Sequence, residues 1–315
     1  MTRALLPIVL VTACGGGSRS VPSGQRVGAA VGAALAAADH HRAPWRCAAP
    51  DGPTLADETI AGWKLTGHTL HRDGGEDLLI ATIADAGGAA PATIAALGRM
   101  KPRFAKADLV IALGGMGTTA AELEATLGAI AGTAPLVVVP GDLEGIGALT
   151  AAIKVLRTKG HLVVDGRLAQ RIELPGATIA LVAGTAAAGR LVAGPDGCAY
   201  RGTDVGAALA DLTGRAGLRI LAAAEAPRGT LGGDAVGELA LTPGAGTEID
   251  LVLHGPVDHA ASRARTGGRD ADAIALTPGT ADATPRLPGP LRAPMAGVLA
   301  IHGTTWTWKP LADAE

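Results

Sequence analysis

The sequence predicts an α/β fold in which two mixed β-sheets pack as a sandwich flanked by helices, and three observations carry that prediction. From Asp77 onward, short apolar runs alternate with helical stretches in a repeating strand-loop-helix order. The later part of the chain changes character, with short strands dominating. A hydrophobic content of 48% over 315 residues supplies the buried side chains that such layers need. Aromatic residues make up only 2%, so Ala, Val, Leu and Ile must fill the core, with the four Trp as isolated large pieces.

The elements follow in order. Met1-Thr2-Arg3 and the apolar run Ala4 to Ala13, too short to span a bilayer, predict a signal peptide over residues 1–13. Val11-Thr12-Ala13-Cys14 resembles a bacterial lipobox, which implies cleavage before Cys14, acylation of Cys14 and a secreted, membrane-anchored lipoprotein on the periplasmic face or outer membrane. Gly15-Gly16-Gly17-Ser18 then suits a flexible tether. Residues 14–75 form the tether and an N-terminal arm, containing an Ala-rich stretch from Val27 to Ala38 and a short strand, Ala61 to His68, ahead of the main domain. His40, His41, His68 and His71 lack acidic or Cys neighbours and read as solvated loop residues rather than metal ligands.

The main domain spans 76–310, with a tail at 311–315. Strands are predicted at Leu78 to Ile83, Asp108 to Leu113 and Leu136 to Val139, with helices at Pro91 to Leu97, Thr118 to Ile130 and Gly145 to Leu156. Strands follow at Arg171 to Leu174, Thr178 to Val182, Arg219 to Ala223, Ile249 to Leu253, Ala273 to Leu276 and Gly297 to Ile301, with one helix near Val205 to Leu212.

Composition excludes some partners. A formal net charge of −2 with scattered cations and few aromatic faces leaves no footprint for nucleic acid. With Cys14 acylated, Cys47 and Cys198 remain in an oxidising compartment, either paired as a disulfide or as two buried thiols.

In an open α/β sheet, chemistry collects where strands end, and five such loops stand out. They are Ile83 to Gly88, Leu113 to Gly117, Val139 to Glu144, Leu221 to Gly229 and Leu253 to Asp258. In that order and spacing they resemble the calcineurin-like metallophosphoesterases, whose loops read Asp-x-His, Gly-Asp, Gly-Asn-His-Asp/Glu, a lone His, and Gly-His-x-His. Thr277-Pro278-Gly279-Thr280 matches the family's late Pro-Gly-Ser-type turn, and the resemblance runs from about Asp77 to Trp308. It implies a four-layer α/β/β/α fold and, in the family, two metal ions that activate water and clamp a phosphate.

The ligand set that the resemblance implies is largely missing. Asp85 stands where the first Asp belongs, but Gly87 replaces the following His and Gly115 the metal-bridging Asp. Asp142 replaces the Asn, Leu143 the transition-state His and Ala224 the lone His, while Pro256 and Asp258 stand for the last two His. Two adjacent cations need shared negative charge between them, and Gly115 supplies none. The resemblance therefore implies a degenerate member without catalytic residues or a required cofactor, binding an unknown protein or small-molecule ligand.

Two alternatives stay open. Asp85, Asp142 and Asp258, with Glu144, His254 and His259 nearby, would suit one hard divalent cation in a rebuilt hydrolase, or would be helix caps, turn residues and a packed histidine. Gly115-Met116-Gly117-Thr118-Thr119-Ala120 satisfies G-x-G-x-x-A before a helix, with Asp142 ending the next strand, as a nucleotide-binding Rossmann-like protein would require.

Overall fold

The computed structural model describes residues 45–47, 55–60, 62–75, 77–186, 188–227, 249–256, 262–265, 273–284 and 293–313. Cys14, Val27 to Ala38, His40, His41, Asp258 and His259 lie outside the described residues.

Chain order begins with β1 (Trp45–Arg46) and three strands, β2 (Leu55–Ile60), β3 (Trp63–Gly67) and β4 (Thr69–Arg72). Alternating units follow: β5 (Asp77–Ile83), α1 (Pro91–Met100), β6 (Leu109–Leu113), α2 (Ala120–Ile130), β7 (Leu136–Val139), α3 (Ile146–Thr158) and β8 (Val163–Asp165). Next come β9 (Arg171–Leu174), β10 (Ala177–Val182), β11 (Cys198–Ala199), α4 (Gly202–Leu212) and β12 (Leu218–Ala223). The last strands are β13 (Leu251–His254), β14 (Ser262–Arg265), β15 (Ile274–Thr277), β16 (Met295–His302) and β17 (Thr305–Ala312).

One sheet has six strands in the order β17-β16-β5-β6-β7-β8, and the other has nine in the order β14-β15-β13-β12-β10-β9-β4-β3-β2. Strands β5 to β8 run parallel, and β16 returns antiparallel beside β5. Every residue of β6 and β7 is buried, as central parallel strands covered on both faces require.

The layers follow from which side chains each strand sends to which face. Ile80, Leu109, Ile111, Val137 and Val139 meet Ile172, Ile179, Leu181, Ile220 and Leu253 between the sheets. The opposite face of the six-stranded sheet, with Ile83, Val110, Ala112 and Val138, packs on Leu97, Leu123, Leu127, Leu149 and Leu156 from α1, α2 and α3. Ala180, Val182, Leu221 and Val252 on the outer face of the nine-stranded sheet pack on Val205, Leu209 and Leu212 of α4. The result is the four-layer α/β/β/α sandwich.

Two features differ from the boundaries drawn on the sequence. Strands β2, β3 and β4 continue the nine-stranded sheet through β9, so residues 55–72 are part of the sheet rather than an arm ahead of it. At the other end β17 pairs along its length with β16 through Ala312, which takes residues 311 and 312 out of the tail. Cys47 and Cys198 are joined as a disulfide, Cα to Cα 5.2 Å, where β1 lies parallel to β11. His68 Nδ1 lies 2.8 Å from the distant Leu168 carbonyl and His71 Nε2 2.7 Å from Asp73, so both rings have hydrogen-bond partners within the protein.

Candidate functional site

Strand register puts the candidate loops side by side. Ile83 pairs with Ala112 and Leu113 with Val139, so β5, β6 and β7 end level with one another. Across the sandwich Ala223 pairs with His254 at the ends of β12 and β13. Between these ends lies a cleft of about 220 Å³, lined by Asp85, Gly87, Gly114, Gly115, Gly141, Asp142, Leu143, Arg190, Ala224, Glu225 and Pro256 among others. Gly87, Gly115, Leu143, Ala224 and Pro256 thus share one cavity with two of the candidate carboxylates, Asp85 and Asp142.

The loops after β5 and β6 lie directly against one another at the cleft. Gly115 has φ +73°, and a Cβ there would lie 2.7 Å from Asp85 Cα and 3.0 Å from its Oδ1. A side chain at Gly115 is therefore excluded both by backbone conformation and by its neighbour. Asp85 itself has φ +50°, and the Thr280 hydroxyl lies 2.8 Å from both its main-chain oxygen and its Oδ2. The Asp85 N–H donates to the Gly114 carbonyl at 2.8 Å and the Gly87 N–H to the Gly115 carbonyl at 2.9 Å, which zips the two loops together. A Cβ at Gly87 would collide with the Asp282 carboxylate, so Asp282 occupies the space next to that position. Asp282 is held by the hydroxyls of Thr93 at 3.0 Å and Thr284 at 3.1 Å. Ala224 fits against the glycines opposite, its Cβ 2.8 Å from where a Cβ on Gly114 would stand.

Glu144 clamps the floor. It is 1% exposed, its Oε1 accepts the Met116 N–H at 2.6 Å and its Oε2 accepts the Gly141 N–H at 2.8 Å, joining the loops after β6 and β7. Burial pushes its carboxyl up to about 7, against the two amide bonds, which favour the charged form. His254 is likewise packed at 1% exposure; burial pulls it down to about 4, and its Nδ1–H donates to the Gly255 carbonyl at 2.7 Å. It is a neutral core histidine directed at its own turn.

The far wall joins Glu225, in the loop after β12, to the segment after β10, which the sequence motifs do not reach. Glu225 accepts bonds from the hydroxyls of Thr185 and Tyr200, the latter at 2.5 Å, and from the Ala186 N–H at 3.1 Å. Arg190 stands 3.9 Å from Glu225. The same segment docks on the β7 loop, where the Val192 N–H donates to the Asp142 carbonyl at 2.9 Å, and Asp196 accepts from the Gly147 N–H at 3.2 Å near the start of α3. Burial raises the Asp142 carboxyl above its ordinary range; Arg190 pulls it down and Glu225 adds to the rise.

The nucleotide-binding alternative fails on the same geometry. Thr119 is the N-cap of α2 in a capping box, and Glu122 Oε2 accepts from the Thr118 N–H at 2.9 Å, the Thr118 hydroxyl at 2.8 Å and the Thr119 N–H at 3.2 Å. The amides that a pyrophosphate would need are already bound to a carboxylate of the chain itself.

No protein-family model matches the sequence, and no curated protein does. Solved structures do. TT1561 of Thermus thermophilus superposes with a TM-score of 0.53 at 13% identity, over 75% of this chain and 99% of that one. The fold is metallophosphoesterase-like. GAP50, described as the anchor in the inner membrane complex of Plasmodium, aligns with a TM-score of 0.50 at 11% identity, over 76% of this chain and 86% of that one. The purple acid phosphatase PPD1 of yellow lupin aligns at 0.47 and 11%, over 76% of this chain and 52% of its own.

The residues on this metallophosphoesterase-like scaffold do not fit a dinuclear metal centre. The cleft offers Asp85, Asp142 and Glu225, the last with both oxygens bonded to Thr185, Tyr200 and Ala186, while Gly115, Leu143, Ala224 and Pro256 contribute no side-chain donor. Among the described residues no three His, Cys, Asp or Glu side chains are grouped to hold a metal ion.

Proposed function

We propose that the protein is a lipid-anchored, non-catalytic metallophosphoesterase-like protein of the bacterial cell envelope, whose cleft or surface binds a ligand or partner. The observation that carries this reading is Gly115. Its left-handed backbone sets Asp85 Cα 2.7 Å from where its Cβ would stand, so the place of a bridging carboxylate is taken up by backbone. The Asp85 carboxylate is turned to Thr280, and Glu144 is spent on two amides. GAP50, similar in fold alone, is described as an anchor, and attachment of that kind needs no hydrolysis.

Metal analysis of the purified chain after loading with Mn²⁺, Fe²⁺ and Zn²⁺, alongside phosphomonoester and phosphodiester substrates, tests the reading. Two bound metals per chain with metal-dependent turnover would overturn it. The envelope assignment rests on residues 1–18, and Cys14→Ser should move the protein from the membrane pellet to the soluble fraction.

A single hard cation is the second reading, favoured by the presence of both Asp85 and Asp142 in one cleft. Asp142→Ala would then abolish metal binding and activity together. Loss of thermal stability alone would make the carboxylate structural.

A further inference from the structure

The wall of the cleft that carries Arg190 belongs to a loop with a closed neck. After β10 the chain turns outward at Gly184 and Thr185 and returns at Gly197 and Cys198, where β11 begins. The two sides of the neck touch. The Thr185 N–H donates to the Cys198 carbonyl at 3.4 Å, Thr185 bridges to Ala199, and the Tyr200 N–H donates to the Thr185 carbonyl at 3.1 Å. Surface loops whose ends meet in this way, the Ω-loops, frequently serve function.

Cys47 closes the neck from outside. Its sulfur is bonded to Cys198, its N–H donates to the Ala199 carbonyl at 3.1 Å, and its Sγ fills the space that a side chain on Gly184 would take. Gly184 has φ +91°, and its own N–H donates to the Pro140 carbonyl at 2.7 Å, just past the end of β7. One cysteine thus grips both sides of the neck. The strands that bring it there, β1 and β11, form a pair of their own outside the two large sheets.

Beyond the neck the loop is lightly held. Cys47 is 5% exposed and Cys198 0%, whereas none of residues 189–196 is buried and Val192 is 60% exposed. Among the described residues this stretch is docked by the Val192 N–H on the Asp142 carbonyl, by Asp196 on the Gly147 N–H, and by Arg190 beside Glu225. A segment with so few buried apolar contacts opens at low cost unless its ends are fastened. Arg190 is also the one cation among the described residues that line the cleft.

We propose that the Cys47–Cys198 bridge is a clasp that holds residues 188–197 against the cleft, so that opening the bridge releases this wall, and Arg190 with it, while the two sheets stay packed. The opening reaction is thiol–disulfide exchange with a dithiol: the bridge breaks, Cys47 and Cys198 become thiols, and the reagent leaves as its cyclic disulfide. Both sulfurs are buried, so exchange waits on a transient opening of the neck. The charge lining the cleft therefore depends on a bond outside it, whatever ligand the cleft takes.

The test is hydrogen exchange of the full chain under native conditions, read by mass spectrometry on peptides covering 188–197, in the oxidised parent, in Cys47→Ala/Cys198→Ala and in Asp196→Ala with the bridge intact. The bonded amides of Val192, Gly194, Asp196 and Gly197 should exchange at least about tenfold faster in the double variant, within a labelling time over which β6 and β7 stay protected in both proteins. Parent treated with a dithiol should reach the same state, and trypsin should cut after Arg190 faster by a similar factor. Asp196→Ala should change the rate far less. Unaltered protection of 188–197 in the double variant overturns the clasp. Loss of protection in β6 and β7 together with the loop, or failure of the double variant to fold, would make the bridge a staple of the whole sandwich and also overturns it. So does an Asp196→Ala rate equal to that of the double variant, which would assign the hold to the docking bond instead.

Discussion

His254 and Glu144 should make opposing contributions to stability that hide one another in the parent protein. His254 titrates near 4 in the folded chain because burial disfavours its charged form, against about 6.5 when unfolded. As pH falls, the unfolded chain takes up this proton first. Stability is therefore lost between about pH 6.5 and pH 4, by about 3 kcal/mol over the whole interval. Glu144 behaves in the opposite sense. Burial raises it to about 7 in the folded chain, against 4.5 in the absence of the fold, so the folded state keeps a proton that the unfolded chain has released. Its contribution is fully present below about pH 4.5 and declines by about 3 kcal/mol as pH rises to about 7. From about pH 4.5 to 6.5 the two slopes, each about 1.4 kcal/mol per pH unit, oppose one another. Substitution separates them. His254→Asn leaves the Glu144 slope unopposed, so the parent should gain on this variant by about 3 kcal/mol as pH rises from about 4 to 6.5. Glu144→Gln should show the reverse trend, its deficit shrinking by a similar amount from about pH 4.5 to 7. Urea-denaturation midpoints at pH 4, 5, 6 and 7, at one ionic strength, give both differences with every other titrating group common to parent and variant. Parallel profiles for parent and variants would refute the reasoning, since they would mean that neither group changes its proton affinity on folding.

Four further outcomes follow from the site and the disulfide. Gly115→Ala should destabilise the fold by about 2 kcal/mol or more, through the left-handed backbone together with the contact to Asp85, as read from the denaturation midpoint. Gly115→Asp should lose at least as much without gaining metal, as calorimetric titration with Mn²⁺ would show. Glu225→Gln leaves one acceptor where the carboxylate has two oxygens bonded to Thr185, Tyr200 and Ala186, and should cost about 1.5–3 kcal/mol in chemical denaturation. Cys47→Ser opens a cross-link between residues 151 positions apart and should lower stability by up to about 5 kcal/mol, checked by denaturation of the variant under non-reducing conditions.

The central parallel strands were legible because burial on both faces writes them as unbroken apolar runs, and the Leu136–Val139 strand agrees with the sequence reading to the residue. Short strands, and those at sheet edges, were not. Thr69–Arg72 is a polar four-residue segment that becomes a strand only by pairing with β3 and β9, and Val163–Asp165 is too short to carry a period. Thr305–Ala312 alternates, but it contains Pro310, which is tolerated because β17 is the outermost strand of its sheet.

The candidate site divides in the same way. The order of the five loops brought Asp85, Gly87, Gly115, Asp142, Leu143, Ala224 and Pro256 to one cleft. Arg190, Tyr200 and Thr185 lie in the segment after β10, outside every loop motif; the fold brings Arg190 to the cleft and sets the other two against Glu225 on its wall. Asp282 stands two residues beyond the Thr277 to Thr280 turn, and its role depends on the absence of a side chain at Gly87, far away in sequence. Glu144 was placed near the site, but its two amide bonds depend on how closely the β6 and β7 loops approach.

The most direct test of the central claim is the rate of bis(p-nitrophenyl) phosphate hydrolysis by the full chain in saturating Mn²⁺, compared with Asp85→Ala. The account predicts no turnover above buffer for either protein, because Gly115 and its neighbours offer no ligands for a second ion. Metal-dependent turnover by the parent that Asp85→Ala abolishes would contradict it.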